Sequence, residues 1–524
     1  MNHAAAVSLR LPKVTIRRPM PPLRSAAAGS PAAAPARHAR GWRSTAQCAA
    51  LLAAALLAGC SSLLVHPDTD VSQAVPVPAV WDHGTASTAA TSLAEWWRHF
   101  HDPQLTAVVT QVLAANGDVR TAQATLRQVR AQRDVTAAGL LPTVGGNASA
   151  SRTRSGGNDG NSSYAAGFDA SWEPDVFGGT RAGVTAADAD TRAAVESLAD
   201  VQVSIAAEAA AQYITWTALE LRMAIARDNL ASQEETQQIT EWRAQAGLTT
   251  SLDVEQARSS TEVTRAQIPA LTAGIAQAKS ALAVLAGVTP EALQATLKSN
   301  AVVPVVDEGL AYAFPAETLR QRPDVHRAEY QLQAAASRVT QSDAARYPSF
   351  QISGTLGVAA LTFGGLTGGN ALAALLLGSI SVPIFNGGAL EAQVRVQDAA
   401  FDQARIAYET TVLAALKDVE DALVTLASAR ERLATLRRAA LAARNAAILA
   451  RYRYNSGLSD FQPVLQTQVT LLSVQDSVAN GEAELGLAHV RLYKALGGGW
   501  QPDVAATPQA RTGAPAVTVG KQLT

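Results

Sequence analysis

Residues 347–390 read YPSFQISGTLGVAALTFGGLTGGNALAALLLGSISVPIFNGGAL and contain no charged side chain. A glycine-rich tip, Phe363–Asn370, divides this stretch into two halves. Each half has about 10–12 residues, the length at which a tilted β-strand crosses a bilayer. The stretch therefore predicts a membrane-embedded β-hairpin over residues 348–385.

The segment that follows this hairpin predicts a very long helix. Residues 389–454 contain no proline, and apolar residues recur every seven positions, as at Val412 and Val419. This spacing is typical of a coiled-coil seam. At about 1.5 Å per residue the helix is on the order of 100 Å long. A glycine turn with its tip near residue 457 then reverses the chain into a returning helix over about residues 460–496.

The same series of elements occurs earlier in the chain, and this indicates an internal tandem repeat. Four landmarks recur at offsets of 206–211 residues: Asp118-Val119 as Asp324-Val325, Pro174 as Pro383, Gly247-Leu248 as Gly457-Leu458, and Leu285-Ala286-Gly287 as Leu496-Gly497-Gly498. We predict a first unit over residues 95–290, with a hairpin at 141–174 and a helical tip near 247. The second unit covers residues 316–499, after an equatorial linker at 291–315.

Four strands per chain are too few to close a barrel. An open sheet edge in lipid leaves backbone groups unpaired, at several kcal/mol each, and closed barrels begin at about eight strands. The chain must therefore associate with copies of itself. Two, three or four copies would supply 8, 12 or 16 strands, and this argument does not choose among them.

The N-terminus has the features of a lipoprotein signal. Residues 1–59 contain eight basic side chains and no acidic one, and they end in a short apolar run. The sequence Leu57-Ala58-Gly59-Cys60 has the form of a lipobox, so Cys60 is predicted to carry the covalent lipid, diacylglycerol and an N-acyl chain, that anchors the mature protein. Residues 60–94 are predicted to form a lipidated linker, and residues 500–524 have the composition of a disordered tail.

Composition excludes several function classes. Removing the eight positive charges of the signal from a net charge of −1 leaves −9, which argues against a nucleic-acid partner. The two cysteines, Cys48 and Cys60, lie in or beside the signal, so no disulfide framework is expected. His99-Phe-His101 lacks a nearby third metal ligand, and no nucleophile motif is present. We expect no enzyme activity, no cofactor and no metal site.

Several motifs together resemble the TolC-like outer-membrane efflux family, in particular its lipidated OprM/NodT-type branch. They are the lipobox, Trp96-Trp-Arg-His-Phe-His-Asp-Pro-Gln-Leu105, Trp172-Glu-Pro-Asp-Val-Phe-Gly-Gly179, Arg322-Pro-Asp-Val325, Val382-Pro-Ile-Phe-Asn-Gly-Gly388 and Leu492-Tyr-Lys-Ala-Leu-Gly-Gly-Gly-Trp500. The resemblance implies a mainly helical fold, with a 12-helix α-barrel tunnel and a 12-stranded membrane β-barrel in a homotrimer. It also implies a location in the outer membrane, where the trimer is the gated exit duct of a tripartite efflux pump. A periplasmic adaptor and an inner-membrane RND-type transporter would be its partners.

The resemblance also assigns roles to the two helical tips. The predicted adaptor-docking residues are Arg243, Gly247, Leu248, Arg453, Gly457 and Leu458. Related proteins carry an Asp nine residues after the second tip glycine, where this chain has Gln466. Asp253 and Asp460 are the alternative sources of negative charge at the periplasmic gate. We therefore expect a less acidic and less cation-selective gate than is usual in the family, unless Gln466 simply packs between helices.

Charged residues at heptad spacing suggest contacts between helices. Arg430, Arg437, Arg444 and Arg451 lie seven apart, and the repeat aligns them with Glu220, Arg227, Glu234 and Glu241. Three of these four equivalent pairs have opposite charges. They could pair between neighbouring helices and set the register of assembly, or they could be two solvated faces that contribute little.

Two other functions remain open at this point. The chain could be an exit duct for secreted proteins or signal molecules instead of an efflux duct, or a periplasmic coiled-coil lipoprotein scaffold without a channel. The charge-free hairpin and the lipobox argue against the scaffold. No stretch after Cys60 reads as a membrane-spanning helix.

Overall fold

The computed structural model describes residues 67–70, 75, 93–154, 156, 160–306 and 321–499. The predicted signal and Cys60 lie outside the described residues, as do most of the linker at 60–94 and the tail at 500–524. The limits of the predicted domains therefore stay predictions.

The four strands form one antiparallel sheet in the order β1-β2-β3-β4. The strands are β1 (Thr143–Thr153), β2 (Asn161–Trp172), β3 (Ser349–Ala360) and β4 (Leu372–Ser381). They contain 10 to 12 residues each, and every residue of β1 and β4 is exposed. Each edge strand pairs with only one neighbour, so the sheet has two open edges within a single copy.

Two helices of equal length dominate the molecule. They are α3 (Gly179–Gln245) and α7 (Ala389–Asn455), with 67 residues each. The remaining helices are α1 (Pro103–Ala115), α2 (Gly117–Ala138), α4 (Ser251–Leu285), α5 (Pro290–Thr296), α6 (Pro323–Ala344) and α8 (Gln462–Ala495). The predicted fold class, mainly helical with long helices, two repeats and a four-stranded sheet, is confirmed.

Glycine turns join each long helix to its returning partner. Gly247 (φ +74°) follows α3 and Gly457 (φ +71°) follows α7. The amide of Leu248 donates to the carbonyl of Arg243, and the amide of Leu458 to that of Arg453, both at 2.8 Å. These bonds satisfy carbonyls that the helix ends leave open. The long helices and their partners therefore form two antiparallel hairpins, α3–α4 and α7–α8.

A large core lies where the short helices meet the long ones. Trp96 is fully buried and stacks on Tyr493, with ring centroids 5.1 Å apart. Asp102 caps α1 by accepting from the amides of Gln104 and Leu105, and it also accepts from the Tyr213 hydroxyl at 2.9 Å. The motif that begins at Trp96 and the motif that contains Tyr493 therefore contact each other in this core.

The heptad charges pair differently from the prediction within one copy. Glu220, Glu234 and Glu241 of α3 pair with Lys279, Arg265 and Arg258 of α4, at 3.4, 2.7 and 3.9 Å. Arg437 of α7 bonds Glu482 of α8 at 2.8 Å. For these residues the nearest opposite charge lies on the returning helix, because an antiparallel hairpin places its own two helices side by side. Arg451 is different, since it pairs with Glu235 of α3, so one ion pair does join the two long helices.

One helix among the described residues, α4, is long and apolar enough to cross a membrane by length and composition alone. This differs from the expectation that no such stretch follows Cys60. The charged residues of α4 lie mostly towards its tip, and Arg258, Arg265 and Lys279 are paired with α3. We therefore interpret α4 as the returning helix of the α3–α4 hairpin and not as a membrane-spanning helix.

Candidate functional site

The two helical tips present leucine side chains to solvent. Leu248 is 69% exposed and Leu458 is 72% exposed. No atom lies within 4 Å of a Cβ built on Gly247 or Gly457, so the positive φ, and not crowding, requires glycine there. The tips thus combine a rigid turn with an exposed apolar residue, an arrangement suited to contact with another protein.

The two tip arginines have different environments. Arg243 donates from Nη1 to the backbone carbonyl of Tyr454 at 2.8 Å, and its guanidinium lies 4.3 Å from the centre of the Tyr454 ring. Arg453 is exposed. Arg243 therefore ties the first tip to the second within the chain, while Arg453 remains available to a partner. The sequence contains one indication of this difference. The residue of the first unit that is equivalent to Tyr454 is Ala244, which has no aromatic ring for Arg453 to contact.

A small apolar cluster holds the two hairpins together just above the tips. It consists of Ala257, Ala450, Tyr454, Phe461 and Val464, all of them buried. The rings of Tyr454 and Phe461 meet edge to face at 5.6 Å, a geometry that adds about 0.5–1.5 kcal/mol to the area buried. We call these five residues the tip cluster.

Asp253 has a local structural role. Its Oδ2 accepts from the Thr249 hydroxyl at 2.6 Å and from the amide and hydroxyl of Thr250, in a capping box at the start of α4. The Thr249 hydrogen bond, with help from Thr250, holds the pKa of Asp253 below its ordinary value. The carboxylate is therefore charged at neutral pH, but it is engaged by its own helix terminus.

Asp460 and Gln466 lie on the second hairpin, and both are exposed. Gln466 lines a groove of about 610 Å³ between α4 and α8. Most of the polar residues that line the groove are uncharged: Gln233, Gln256, Ser259, Ser260, Thr264, Gln267, Gln462, Ser473 and Ser477. Its acidic residue, Asp476, is bonded to Arg222 at 2.6 Å. The surroundings of Gln466 are thus polar with little net charge.

His99 contacts the core through Tyr493. Its Nδ1 lies 3.4 Å from the Tyr493 hydroxyl. Burial lowers the pKa of His99, and His101 lowers it further. The described residues contain no group of three or more histidine, cysteine or acidic side chains that could hold a metal ion.

Known proteins share the whole arrangement. The family described as "Outer membrane efflux protein" matches residues 108–288 and 314–498. The chain is 31% identical over 461 residues to the probable efflux pump outer membrane protein TtgC of Pseudomonas putida, covering 85% of this chain and 94% of TtgC. It is also 31% identical over 474 residues to the pyoverdine export outer membrane protein OpmQ of Pseudomonas aeruginosa, covering 86% and 97%.

Solved structures agree with these relatives. The outer-membrane channel OprN has 34% identity and a TM-score of 0.75, with 84% of this chain and 100% of that chain covered. The open state of the MtrE outer membrane channel of Neisseria gonorrhoeae has 25% identity and a TM-score of 0.74, with 83% and 97% covered. The chain therefore belongs to the outer membrane efflux protein family, and it is a non-enzymatic efflux channel of the outer membrane that extends into the periplasm.

Proposed function

We propose that three copies of this chain form the exit duct of a tripartite efflux pump. The observation that carries the proposal is the four-stranded sheet, whose edge strands β1 and β4 each have one neighbour within the copy. The open edges alone would allow two, three or four copies, and the family resemblance favours three, which close a barrel of twelve strands and leave no edge in lipid. The helices α3, α4, α7 and α8 of the three copies would then form a tunnel wall of twelve helices.

The dimensions of the elements support a duct that crosses two compartments. Strands of 10 to 12 residues match the thickness of a bilayer. Helices of 67 residues extend for about 100 Å at 1.5 Å per residue. The duct therefore reaches far below the membrane, towards a transporter on the other side of the periplasm.

Small molecules are the proposed cargo, conducted passively through the gated tunnel. The relatives are described as pumps or exporters of toluene, antibiotics, solvents and pyoverdine. These descriptions favour small-molecule efflux over protein secretion. We assign selection of the cargo to an inner-membrane RND-type transporter.

A periplasmic adaptor is the proposed partner at the tips, where Leu248, Leu458 and Arg453 are exposed. A lipid on Cys60 is the proposed second attachment to the outer membrane, beside the barrel. Mass spectrometry of the mature N-terminus tests the lipid directly. A diacylglyceryl, N-acylated Cys60 is expected, and an unmodified Cys60 would contradict it.

An efflux assay tests the proposed duct. In a host that lacks this chain, the full-length protein should lower accumulation of a fluorescent efflux dye. The double variant Leu248→Asp/Leu458→Asp should lose this effect, because charged side chains would replace both exposed apolar contacts. The matched control is Val284→Asp, which changes a residue 74% exposed at the other end of α4.

The assay can refute the proposal in two ways. If the full-length protein reaches the outer membrane as a trimer and dye accumulation is unchanged, the chain is not an efflux duct for such compounds. If the tip variant assembles and exports as well as the control, the tips are not the adaptor contact.

A further inference from the structure

The groove between α4 and α8 that contains Gln466 has the size of a small-molecule site. Its volume is about 610 Å³, within the range of about 300–1,000 Å³ that is usual for such sites. Val263 and Val469 line it and are 62% and 48% exposed. The groove therefore offers apolar contacts among its amide and hydroxyl groups.

The seam between α3 and α8, beside this groove, is a series of matched polar side chains. The hydrogen-bonded pairs are Thr236–Gln468, Asn229–Gln475 and Arg222–Asp476, at 2.9, 2.8 and 2.6 Å. Their three residues on α3 are seven apart, so they form one row along the helix. Polar side chains in this row are therefore satisfied by partners on α8.

Gln233, which lies in the same part of α3 and lines the groove, is an exception. It is 3% exposed, and its Oε1 is buried and accepts no hydrogen bond from any residue that the structure describes. Leaving a buried acceptor without a donor is unfavourable. A long helix does not require an amide at this position, because the equivalent residue of α7 is Ala443. The Gln233 amide therefore has unused hydrogen-bonding capacity at the groove.

The groove also has little net charge. Asp476 is the one acidic residue among the described residues that line it, and both of its oxygens accept hydrogen bonds from Arg222, at 2.6 and 3.3 Å. A charged molecule would lose water here without gaining an opposite charge, whereas an uncharged molecule would not pay this penalty. The groove therefore favours uncharged ligands.

The groove opens on the side of α8 that faces away from the large core. Ser477 lines the groove, and Gly486 is nine residues further on, about half a turn around the helix. A Cβ built on Gly486 would lie 3.3 Å from Ile214 and 3.7 Å from the carbonyl of Pro304. Gly486 therefore faces the large core, and Ser477 points the other way.

The large core must lie outside the tunnel, so the groove lies inside it. Twelve helices about 10 Å apart enclose a bore of about 28 Å. The core includes the short helices α1 and α5, and three copies would bring six of these helices, each about 10 Å wide, into the bore. They would block it. The groove, on the opposite side of α8, therefore faces the bore.

We propose that this groove binds uncharged amphiphilic cargo, in which a hydroxyl or amide group is carried on an apolar body, as the cargo passes through the duct. The Gln233 amide would bond the polar group, and Val263 and Val469 would contact the apolar body. This rests on the proposed duct and names a class of cargo for it.

The groove lies close to the closed end of the duct. Gln466 and Ser477 are 9 and 20 residues beyond Gly457, so the groove is about 14–30 Å above the second tip. Cargo that enters through the tips would meet it early. Because conduction requires that bound cargo also leaves, the affinity of the groove should be low.

Binding of chloramphenicol tests the proposal, because this molecule is uncharged and carries hydroxyl and amide groups on an aromatic body. Saturation-transfer NMR of the full-length trimer in lipid nanodiscs should give a Kd on the order of 1 mM. Gln233→Leu should weaken binding by about fivefold, the effect of losing one neutral hydrogen bond. Gln238→Leu is the matched control, since Gln238 is an exposed glutamine of α3 outside the groove. It should bind as the wild type does.

Thermal unfolding separates a binding role of Gln233 from a structural one. Gln233→Leu removes an Oε1 that accepts no hydrogen bond within the described structure, so the variant should be at least as stable as the wild type. Weaker binding together with a lower unfolding temperature would indicate a disturbed seam and would count against the proposed contact.

A charge placed in the groove provides a second test. Ser473 lines the groove and is exposed. Ser473→Asp should bind tetraphenylphosphonium, a cation without hydrogen-bond donors, more tightly than the wild type does, and chloramphenicol less tightly. Ser473→Asn, which adds no charge, should not bind the cation more tightly. If Ser473→Asp leaves the binding of both probes unchanged, they bind elsewhere and the proposal is overturned.

The outcomes separate this proposal from the proposed function. If the trimer lowers dye accumulation but binds chloramphenicol equally in the two glutamine variants, or does not bind it, the groove site is overturned and the duct is intact. Absence of a trimer from the outer membrane overturns both.

Discussion

Substitution of Arg322 by methionine should destabilise the described core by about 3–4 kcal/mol. Arg322 is 8% exposed. It donates to both oxygens of Asp324, at 2.9 and 2.7 Å, and to the carbonyl of Ala495 at 2.6 Å. It thereby joins the first turn of α6 to the last turn of α8. Removing one partner of a buried ion pair typically costs about 3–5 kcal/mol, because the other charge remains buried without compensation.

Guanidinium unfolding in detergent micelles, followed by far-ultraviolet circular dichroism, measures the effect. Arg322→Met/Asp324→Asn should recover about half of the loss. The main remaining defect is the unpaired Ala495 carbonyl, at about 1–3 kcal/mol, while the lost ion pair of Arg322 with Asp418 at 3.5 Å contributes less because Asp418 is 51% exposed. Arg98→Met is the matched control. It breaks a pair with Glu95 in which Arg98 is 61% exposed, and it should cost less than about 1 kcal/mol.

The dependence on pH provides an internal check. Burial raises the pKa of Asp324, but Arg322 outweighs it and holds the pKa below the ordinary 3.8. The stability from this pair is therefore present above pH 3.8 and is lost as the pH falls through the lowered pKa. The difference between wild type and Arg322→Met should shrink in acid. Two results would contradict this prediction: Arg322→Met costing no more than Arg98→Met, or a double variant no more stable than the single one.

Three further predictions concern pH, the gate and the tips. Burial, with a smaller contribution from Arg430, lowers the pKa of His489 to about 4. Unfolding therefore takes up a proton below pH 6.5, and the free energy of unfolding should fall by about 3 kcal/mol between pH 6.5 and 4. Denaturation curves of His489→Leu should show a smaller dependence on pH over this range. Gln466→Asp should raise cation selectivity and divalent block in single-channel recordings, and unchanged recordings would refute the weakly charged gate. Arg243→Ala should increase conductance, because it releases the first tip from Tyr454. Arg453→Ala should leave conductance unchanged and weaken binding of the adaptor. Equal effects of the two variants on conductance would contradict the different roles of the two arginines.

Sequence features that rest on local geometry predicted the fold well. The charge-free stretch from Tyr347 to Leu390 indicated the second hairpin because strand length and bilayer thickness constrain each other. The lack of proline indicated the long helices. Gly247 and Gly457 indicated equivalent turns in the two units, and in the structure a helix of 67 residues precedes each of them.

Features that depend on which helices are neighbours were harder to predict. The motif Arg-x-x-x-Gly occurs at both tips, yet Arg243 binds Tyr454 and Arg453 is exposed. Alignment of the two units shows that Ala244 stands where the second unit has Tyr454, but it does not show that Arg243 reaches the Tyr454 ring. Pairing of Glu234 with Arg265 likewise follows from the hairpin and not from the repeat.

The start of α4 carries a sequence signature for the role of Asp253. Thr250-Ser-Leu-Asp253 has the spacing of a capping box, in which the acidic residue bonds the start of its own helix. The structure shows this bond pattern. That pattern weighs against Asp253 as the main gate charge, and it leaves Asp460 and Gln466 as the second-tip positions to test.

Electron cryo-microscopy of the full-length protein in lipid nanodiscs would show directly how the copies assemble. We expect three copies around one pore, with β4 of each copy paired to β1 of the next, twelve strands in the lipid and twelve helices below it. A single copy with both sheet edges exposed to lipid, or an assembly in which the sheets do not form one closed barrel, would contradict it.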